Sequence, residues 1–275
     1  MIVDYHMHPR SSASDDLEAT DHSLEAVERY VEAAASAGVD EICFTEHVYY
    51  FTLTRPLWHI NYEVEHCVCE IELYVSAVLQ AKERGLPVKL GLEVDFVLGR
   101  ERETSALLDA YPWDFWLGSI HYVDDLSVDG EPELVDAVGV DEAWRRYFDR
   151  LGAAAESGLF DSLSHPDLVK LWGRRPAPER EQTLFETVAA RIAGTGTCIE
   201  VSTAGLMRPV EEIYPDPRLL AACCALDVPV TMGSDAHGVA RVGADLDRAV
   251  ELMRSAGYET VTVFDNRRGR QVPLG

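Results

Sequence analysis

The stretch Ile2-Val3-Asp4-Tyr5-His6-Met7-His8 decides the fold, because a short apolar run leads directly into acidic and imidazole side chains. The same arrangement recurs along the chain. Each apolar run predicts a short buried strand, and in a parallel barrel the carboxyl ends of all strands meet at one face. Hydrophobic burial gives no reason to place titratable groups at so many strand ends, so the pattern predicts a shared site. The other predicted strands and the residues that end them are Glu41–Thr45 with Glu46 and His47, Val88–Leu92 with Glu93, Phe115–Ile120 with His121, Asp161–Ser164 with His165, and Val228–Gly233 with Asp235 and His237.

Helical patterns alternate with these strands, which is typical of an α/β protein with a parallel sheet and helical crossovers. Thr197–Ser202 predicts one more strand, and Thr260–Phe264 is a last β-rich run. We see no interdomain linker, so the sequence predicts a single domain over residues 1–275. The predicted helices are Leu24–Ala37, Tyr62–Arg84, Thr104–Leu108, Asp141–Glu156, Glu179–Ala193, Pro217–Leu226 and Ala244–Ala256.

The composition restricts the partners of the chain. Its 275 residues carry a formal net charge of −24, and 47% of them are hydrophobic. An acidic surface repels nucleic-acid backbones and anionic lipid, so we expect neither nucleic acid nor membrane as a partner. The sequence has no apolar run of about 18 residues and no secretory signal, so we expect a cytoplasmic protein. Its cysteines, none of them in a CxxC pair, are typical of a reducing compartment.

The ionisable residues favour a metal site. His6 and His8 face the same way on an extended strand because side chains alternate there, and this spacing suits two ligands of one ion. Imidazole combined with carboxylate is typical of zinc, manganese or iron. The strand ends supply more ligands than one tetrahedral ion takes, so the sequence predicts two to three divalent metal ions, with Glu93 suited to bridge a pair.

Other residues are expected to play supporting or unrelated roles. Asp4 and Glu46 are expected to orient histidines from behind rather than to bind metal. Three further histidines lie outside the strand ends and are expected at the surface or in loops, namely His22, His59 and His66.

An aromatic segment, Val48–Asn61, interrupts the alternation after the second strand. Loops on this face of a barrel carry function, so one interpretation is a substrate-covering loop with an aromatic wall. The other interpretation is a satellite hydrophobic cluster beneath a long loop. The sequence does not decide between them.

Taken in order, these motifs resemble the PHP (polymerase and histidinol phosphatase) superfamily, from about residue 2 to residue 265. Within it, the segments around His47, His121 and His165 are most similar to the stand-alone histidinol-phosphatases. The motifs that carry the resemblance are Asp4-x-His6-x-His8, Thr45-Glu46-His47, Gly91-Leu92-Glu93, Gly118-Ser119-Ile120-His121, Ser164-His165-Pro166-Asp167, Ile199-Glu200-Val201-Ser202 and Gly233-Ser234-Asp235-Ala236-His237.

The resemblance implies a distorted (β/α)7 TIM-like barrel with three metal positions. The first would be held by His6, His8, Glu93 and Asp235, and the second by Glu93, His121 and His165. The third would be held by His47 and His237. Many family members add a histidine or an acid shortly after the HxH motif, and here Asp15 or Asp16 would have to replace it.

The activity implied is hydrolysis of L-histidinol phosphate, a small-molecule phosphate ester, in histidine biosynthesis, without a covalent intermediate. We expect Glu93, Asp235 and His237 to be the catalytic residues. The leaving alkoxide needs a proton or a cation, which Asp235, His237 or the third metal would supply. The candidates for substrate binding are Arg10, Lys170 and Arg241, to clamp the phosphate, and Glu200, to hold a cationic group.

Three alternatives remain at this point. The enzyme would act on another small ester or a nucleotide phosphate, or the chain would be a non-catalytic metal-binding PHP module. An amidohydrolase is the third, although none of the three lysines ends a predicted strand as its usual carboxylated lysine would. A homo-oligomer is the one macromolecular assembly compatible with these expectations.

Overall fold

A computed structural model describes residues 1–12 and 17–275. Within these residues the strands are β1 (Val3–Asp4), β2 (Glu41–Phe44), β3 (Val88–Asp95), β4 (Phe115–Ser119), β5 (Tyr122–Val123), β6 (Leu126–Ser127), β7 (Ser162–Leu163), β8 (Cys198–Ser202), β9 (Val230–Gly233), β10 (Thr260–Asp265) and β11 (Arg268–Pro273).

The central sheet runs in the order β1-β2-β3-β4-β7-β8-β9, and every neighbouring pair in it is parallel. Its two outer strands approach each other as well. The amide of Tyr5 donates to the carbonyl of Met232 at 3.0 Å, and Met7 forms a parallel bridge with Ala236. The prediction of a distorted α/β barrel is therefore confirmed.

Helices cover the outside of the barrel. The first of them begins as predicted, because the Ser23 side chain accepts a hydrogen bond from the amide of Ala26 at 3.1 Å. The helices are α1 (Leu24–Ser36), α2 (Asn61–His66), α3 (Ile71–Glu83), α4 (Glu101–Leu108), α5 (Pro132–Val138), α6 (Val140–Glu156), α7 (Pro178–Ile192), α8 (Pro217–Cys224) and α9 (Leu246–Ala256).

The predicted long helix Tyr62–Arg84 is wrong. The chain forms α2 and α3, separated by residues that bond to another segment. The amides of Val68 and Cys69 both donate to the carbonyl of Tyr50, so these residues cannot continue a helical ladder.

A β-hairpin of β10 and β11 closes the amino-terminal end of the barrel. Phe264 packs against Phe115, with ring centroids 4.7 Å apart, and Arg267 pairs with Asp161 at 2.9 Å. Phe115 and Asp161 lie at or just before the starts of β4 and β7. Substrate access is therefore left to the opposite end, where the strands terminate.

The described part of the chain contains no helix with the length and apolar character of a membrane span.

Candidate metal centre

The carboxyl ends of the barrel strands bring together the eight residues that the sequence singled out and that the structure describes. They fall into four overlapping groups, and within each group the ligand atoms lie within 4.8 Å of one another. The groups are His8, His47 and His237; His6, His8 and Glu93; His6, His165 and Asp235; and Glu93, His121 and His165. Asp15 and Asp16, offered for the third metal position, lie outside the described residues.

Local structure explains why these side chains converge. His6 and His8 follow β1, and Met7 between them bridges to Ala236, so the two imidazoles turn to the same side. His47 forms a parallel bridge with Glu93, which lies inside β3 rather than at its end. The strand runs two residues beyond Glu93 because its ladder with β4 continues to Asp95.

Glu93 is the centre of the cluster. Its carboxylate lies within 4 Å of five imidazoles, which are His47 at 2.8 Å, His165 at 3.1 Å, His6 at 3.5 Å, His121 at 3.6 Å and His8 at 3.7 Å. The side chain is 1% exposed. One carboxylate within reach of so many metal-binding nitrogens has the geometry that a bridging ligand requires.

The donor set fits divalent metal ions. Nε2 of His6 and Nε2 of His8 are buried and have no hydrogen-bond partner among the described residues, although carboxylate oxygens of Glu93 and Asp235 lie 3.3 to 3.7 Å from them. Buried polar atoms are normally paired, so unpaired imidazole nitrogens facing carboxylates indicate positions that a cation would complete. The four groups share members, as expected if neighbouring ions share ligands.

A second layer of acids fixes the imidazoles from behind. Asp95 contacts His121 Nδ1 at 2.7 Å, Glu200 contacts His6 Nδ1 at 2.8 Å, and Glu46 contacts His8 Nδ1 at 3.1 Å. In each case the carboxylate contacts Nδ1, and Nε2 is directed into the cluster. This arrangement selects the tautomer in which Nε2 is available to bind a metal ion.

The expected orienting role of Glu46 agrees with this geometry. Two further residues hold this carboxylate, since Arg10 Nη1 donates to it at 2.6 Å and His22 Nε2 lies 3.0 Å away. His22 lies in a loop, as expected, but its side chain is only 7% exposed and belongs to this network behind the site. The expectation that Asp4 orients a histidine ring is wrong for the described residues, because its carboxylate accepts hydrogen bonds from Ser234 and from the amide of Gly243 instead.

The electrostatics of the cluster follow from its composition. Burial by itself would raise the pKa of Glu93, but the surrounding imidazoles, His6 foremost, hold that pKa well below its ordinary value. Asp235 behaves in the same way. Burial lowers the pKa of His47 well below its ordinary value, and the neighbouring His8 lowers it further. Both acids are therefore ionised at neutral pH, as metal ligands must be.

Two residues of the cluster have unusual backbone conformations. His165 has a φ of +24° and Asp235 has a φ of +53°, in the left-handed region that non-glycine residues rarely adopt. Such conformations cost energy and persist where the surrounding structure enforces them, often at functional sites.

A cavity of about 240 Å³ opens over the cluster. Arg208 and Asp129 supply charges to its wall in addition to the cluster residues, and aromatic rings supply much of the rest. The structure supports both interpretations of the aromatic segment Val48–Asn61. Tyr49 and Tyr50 form part of the cavity wall, whereas Trp58 packs into the hydrophobic core. The cavity is lined by His47, Tyr49, Tyr50, Tyr62, Glu93, His121, Asp129, His165, Leu168, Leu171, Trp172, Ala204, Arg208, Pro209, Tyr214, Asp235 and His237.

The four residues proposed from sequence for substrate binding lie elsewhere. Arg10 is 1% exposed and pairs with Glu46, and Glu200 holds His6 and the amide of His165. Lys170 is fully buried against Asp167 at 2.9 Å, and Arg241 lies 3.5 Å from Asp245. None of these four side chains is among the described residues that line the cavity. Sequence reasoning missed Arg208, whose position after Gly205-Leu206-Met207 carries no strand-end signal.

The fold and the site together define an α/β barrel with a candidate multinuclear metal centre at its carboxyl-terminal mouth. The chain belongs to the PHP family, since the family model described as "PHP domain" matches residues 4–204. It is similar to a probable histidinol-phosphatase of Deinococcus radiodurans, with 34% identity over 90% of this chain and 93% of the relative. A histidinol-phosphatase of Lactococcus lactis is 27% identical over 97% of this chain and 95% of the relative.

Solved structures show the same fold. The crystal structure of histidinol phosphate phosphatase from Lactococcus lactis, complexed with zinc, L-histidinol and phosphate, superposes with a TM-score of 0.77 and 23% identity, covering 98% of each chain. The putative histidinol phosphatase of Listeria monocytogenes gives a TM-score of 0.76 with 21% identity, over 90% of this chain and 99% of that one.

Proposed function

We propose that this chain is a metal-dependent phosphomonoesterase that hydrolyses L-histidinol phosphate to L-histidinol and phosphate. One observation carries the proposal: the buried Glu93 carboxylate lies within 4 Å of five imidazoles at the base of an open cavity. The related histidinol-phosphatases support the choice of substrate. We also propose a cytoplasmic location, because all six cysteines are free thiols, as is typical of proteins in a reducing compartment.

The candidate ligands are His6, His8, His47, Glu93, His121, His165, Asp235 and His237. When bound, divalent ions such as zinc, manganese or iron would acidify a water molecule and neutralise charge on the phosphate. The resemblance assigned Glu93, His121 and His165 to the second metal position, and the same three residues form one of the four groups in the structure. His8 belongs both to the group with His6 and to the group with His47 and His237, so we propose two to three ions with shared ligands.

The chain itself positions the substrate. Hydrolysis breaks the bond between phosphorus and the ester oxygen, and the departing alkoxide takes up a proton. A water molecule supplies the oxygen that replaces the ester oxygen on phosphorus. Asp235 and His237 both line the cavity and remain our candidates for the proton transfer, and the ionised Asp235 would first take a proton from this water before passing it to the leaving group. We propose that Arg208, rather than Arg10 or Lys170, binds the phosphate, because it reaches the cavity wall.

The organic part of the substrate has matching partners in the same cavity. An imidazole ring would pack against the aromatic wall formed by Tyr49, Tyr62 and Trp172. Asp129 is the one acid of this lining, within the described residues, that belongs to no metal group, so we propose that it attracts the substrate ammonium.

The test combines metal analysis with a panel of phosphate esters. Purified protein is expected to contain at least two equivalents of divalent transition metal and to hydrolyse L-histidinol phosphate with the highest kcat/KM among that ester, a nucleoside monophosphate and p-nitrophenyl phosphate. Glu93→Gln should abolish turnover, whereas the exposed Glu186→Gln should not change it. A higher kcat/KM for another ester would refute L-histidinol phosphate as the substrate but would leave the phosphomonoesterase activity in place. A metal-loaded protein that hydrolyses none of the esters would indicate a non-catalytic module.

A further inference from the structure

Tyr214 has a buried hydroxyl that is left without a hydrogen-bond partner in the described part of the chain. The residue is 1% exposed, and its Oη has no hydrogen-bond partner among the described residues. The same side chain lines the cavity over the metal cluster. An unmade hydrogen bond of a buried hydroxyl costs about 1–3 kcal/mol, so a native structure rarely keeps one without a reason.

Other buried tyrosines of this barrel behave differently. The hydroxyl of Tyr30 donates to the carbonyl of His8 at 2.7 Å, that of Tyr74 to Gly91 at 2.8 Å, and that of Tyr147 to His165 at 3.2 Å. Each of these phenols ties a backbone segment in place. Within residues 1–12 and 17–275 the Tyr214 hydroxyl makes no such hydrogen bond, which favours a bound molecule as its partner.

The Tyr214 ring is held firmly. Its backbone exchanges two hydrogen bonds with Ser202 at the end of β8, at 2.9 Å and 2.7 Å. The ring lies next to Gly205, where an added Cβ would come within 2.8 Å of Tyr214 Cε2, so the absence of a side chain makes room for it. Lys170 Nζ lies 5.2 Å from the ring centroid, and the His165 ring lies 6.2 Å away.

The protonation state makes the hydroxyl a donor. Burial raises the pKa of the Tyr214 phenol far above its ordinary value, and Asp167 raises that pKa further, whereas Arg208 lowers it. The phenol is therefore protonated at neutral pH. Tyr214 lines the same cavity as Arg208 and Asp235, so it borders the space between the candidate phosphate-binding arginine and the metal cluster.

We propose that the Tyr214 hydroxyl donates a hydrogen bond to a non-bridging oxygen of the substrate phosphate and is thereby a catalytic residue. The inference rests on the proposed phosphomonoesterase activity and adds a neutral donor to the imidazoles and Arg208 around the phosphate. The hydrogen bond would strengthen as negative charge shifts on the phosphoryl group, so it would lower the barrier to reaction.

The experiment compares Tyr214→Phe with Tyr258→Phe in the metal-loaded protein. The Tyr258 hydroxyl donates to the carbonyl of Val228 at 3.0 Å, just before β9, and Tyr258 is not one of the described residues that line the cavity, so it serves as the matched control. Tyr214→Phe should lower kcat/KM by about 10- to 100-fold, since hydrogen bonds to charged groups are the strong ones. Its metal content should be unchanged and its Tm equal or higher, because no hydrogen bond within the protein is lost. Tyr258→Phe should show the reverse, with full activity and a lower Tm.

Two further readouts identify the oxygen that Tyr214 contacts. A contact to a non-bridging oxygen predicts the same loss for L-histidinol phosphate and p-nitrophenyl phosphate, and weaker inhibition by inorganic phosphate. A loss confined to the alkyl ester, with phosphate inhibition unchanged, would overturn this assignment in favour of the leaving oxygen. Full activity of Tyr214→Phe would overturn the proposal outright. Failure of the wild-type protein to turn over any ester would instead refute the proposed function.

Discussion

Glu200 contacts His6 Nδ1 through Oε1 at 2.8 Å and at the same time accepts the backbone amide of His165 through Oε2 at 2.7 Å. One carboxylate inside β8 therefore fixes ligands delivered by β1 and β7. Sequence reasoning offered Glu200 as a contact for a cationic substrate group, but both of its oxygens are engaged within the protein. We propose that it positions the metal ligands.

Replacement of Glu200 by glutamine tests this role. Glutamine supplies a single oxygen acceptor, so its amide group must face either the His6 ring N–H or the His165 backbone N–H. We expect metal affinity to fall about 10- to 100-fold, the range found for outer partners of metal ligands. Titration with a chelating metal indicator measures it, and saturating metal should restore much of the turnover. Unchanged affinity with a raised KM would instead indicate substrate contact.

Gly233 offers a steric test of the same region. A Cβ at this position would lie 2.4 Å from His6 Cβ and 2.5 Å from Glu200 Oε1, closer than real side chains approach. Gly233→Ala is therefore expected to displace His6 and to reduce bound metal per chain, as measured by elemental analysis. Circular dichroism would show whether the barrel remains folded. A folded variant with full metal content would contradict the described packing.

The sequence was sufficient to predict which strand-end residues converge, but not the roles of the charged residues around them, and the difference has a physical reason. A parallel barrel gathers strand ends whatever their separation along the chain, so short apolar runs followed by His6, His121 or His165 were sufficient to place those residues at one mouth. The alternation of side chains likewise placed His6 and His8 on one side. These inferences required only local pattern and topology.

The roles of individual charges depend on tertiary neighbours that no local pattern contains. Arg10 was a reasonable phosphate ligand from its position after the HxH motif, yet it is buried against Glu46. His22 lies in the loop before α1, and its Nε2 lies 3.0 Å from the same carboxylate. Arg208 lies several residues beyond the end of β8 rather than directly at it and was missed, and the break between α2 and α3 arises from the Tyr50 carbonyl. Long-range pairing decides each case.

Substitutions of Arg10 and of Arg208 are expected to have different effects on metal retention and on the kinetic constants. Arg10 Nη1 and Nη2 both donate to Glu46, which in turn contacts His8, so Arg10→Lys is expected to lower metal retention while KM at saturating metal stays near the wild-type value. Metal content after dialysis and KM at saturating metal are the two measurements. A large rise in KM with full metal content would restore Arg10 as a substrate ligand.

Arg208→Gln is expected to give the opposite result. Loss of a charged contact to the phosphate should lower kcat/KM about 10- to 100-fold while metal content is retained. Inhibition by inorganic phosphate should weaken in parallel, because product and substrate share that group. Arg102→Gln, in α4 and outside the cavity lining, serves as the control and should behave as wild type. An Arg208 variant that loses metal but keeps its KM would refute the assignment.

Acid stability should depend on Asp216, the N-cap of α8. Its carboxylate accepts the amide of Arg218 at 2.9 Å and pairs with Arg175 Nη1 at 3.1 Å. Burial alone would raise the pKa of Asp216, but its hydrogen bonds to Arg218 lower that pKa to about 2 from an ordinary value of 3.8. A depressed pKa stabilises the folded state at pH values above the ordinary one. This contribution is lost as the pH falls from about 4 towards 2.

Asp216→Asn keeps an oxygen acceptor for the helix cap and removes the charge, so it isolates the ion pairs. We expect the free energy of unfolding in urea to fall by about 1–2 kcal/mol at pH 7, and by the same amount at pH 5, because the carboxylate is ionised in both folded and unfolded chains. The difference between variant and wild type should shrink between pH 4 and pH 3. Asp247→Asn, in the first turn of α9, should have little effect throughout. A difference that grows as the pH falls would mean that the pKa of Asp216 is not depressed in the fold.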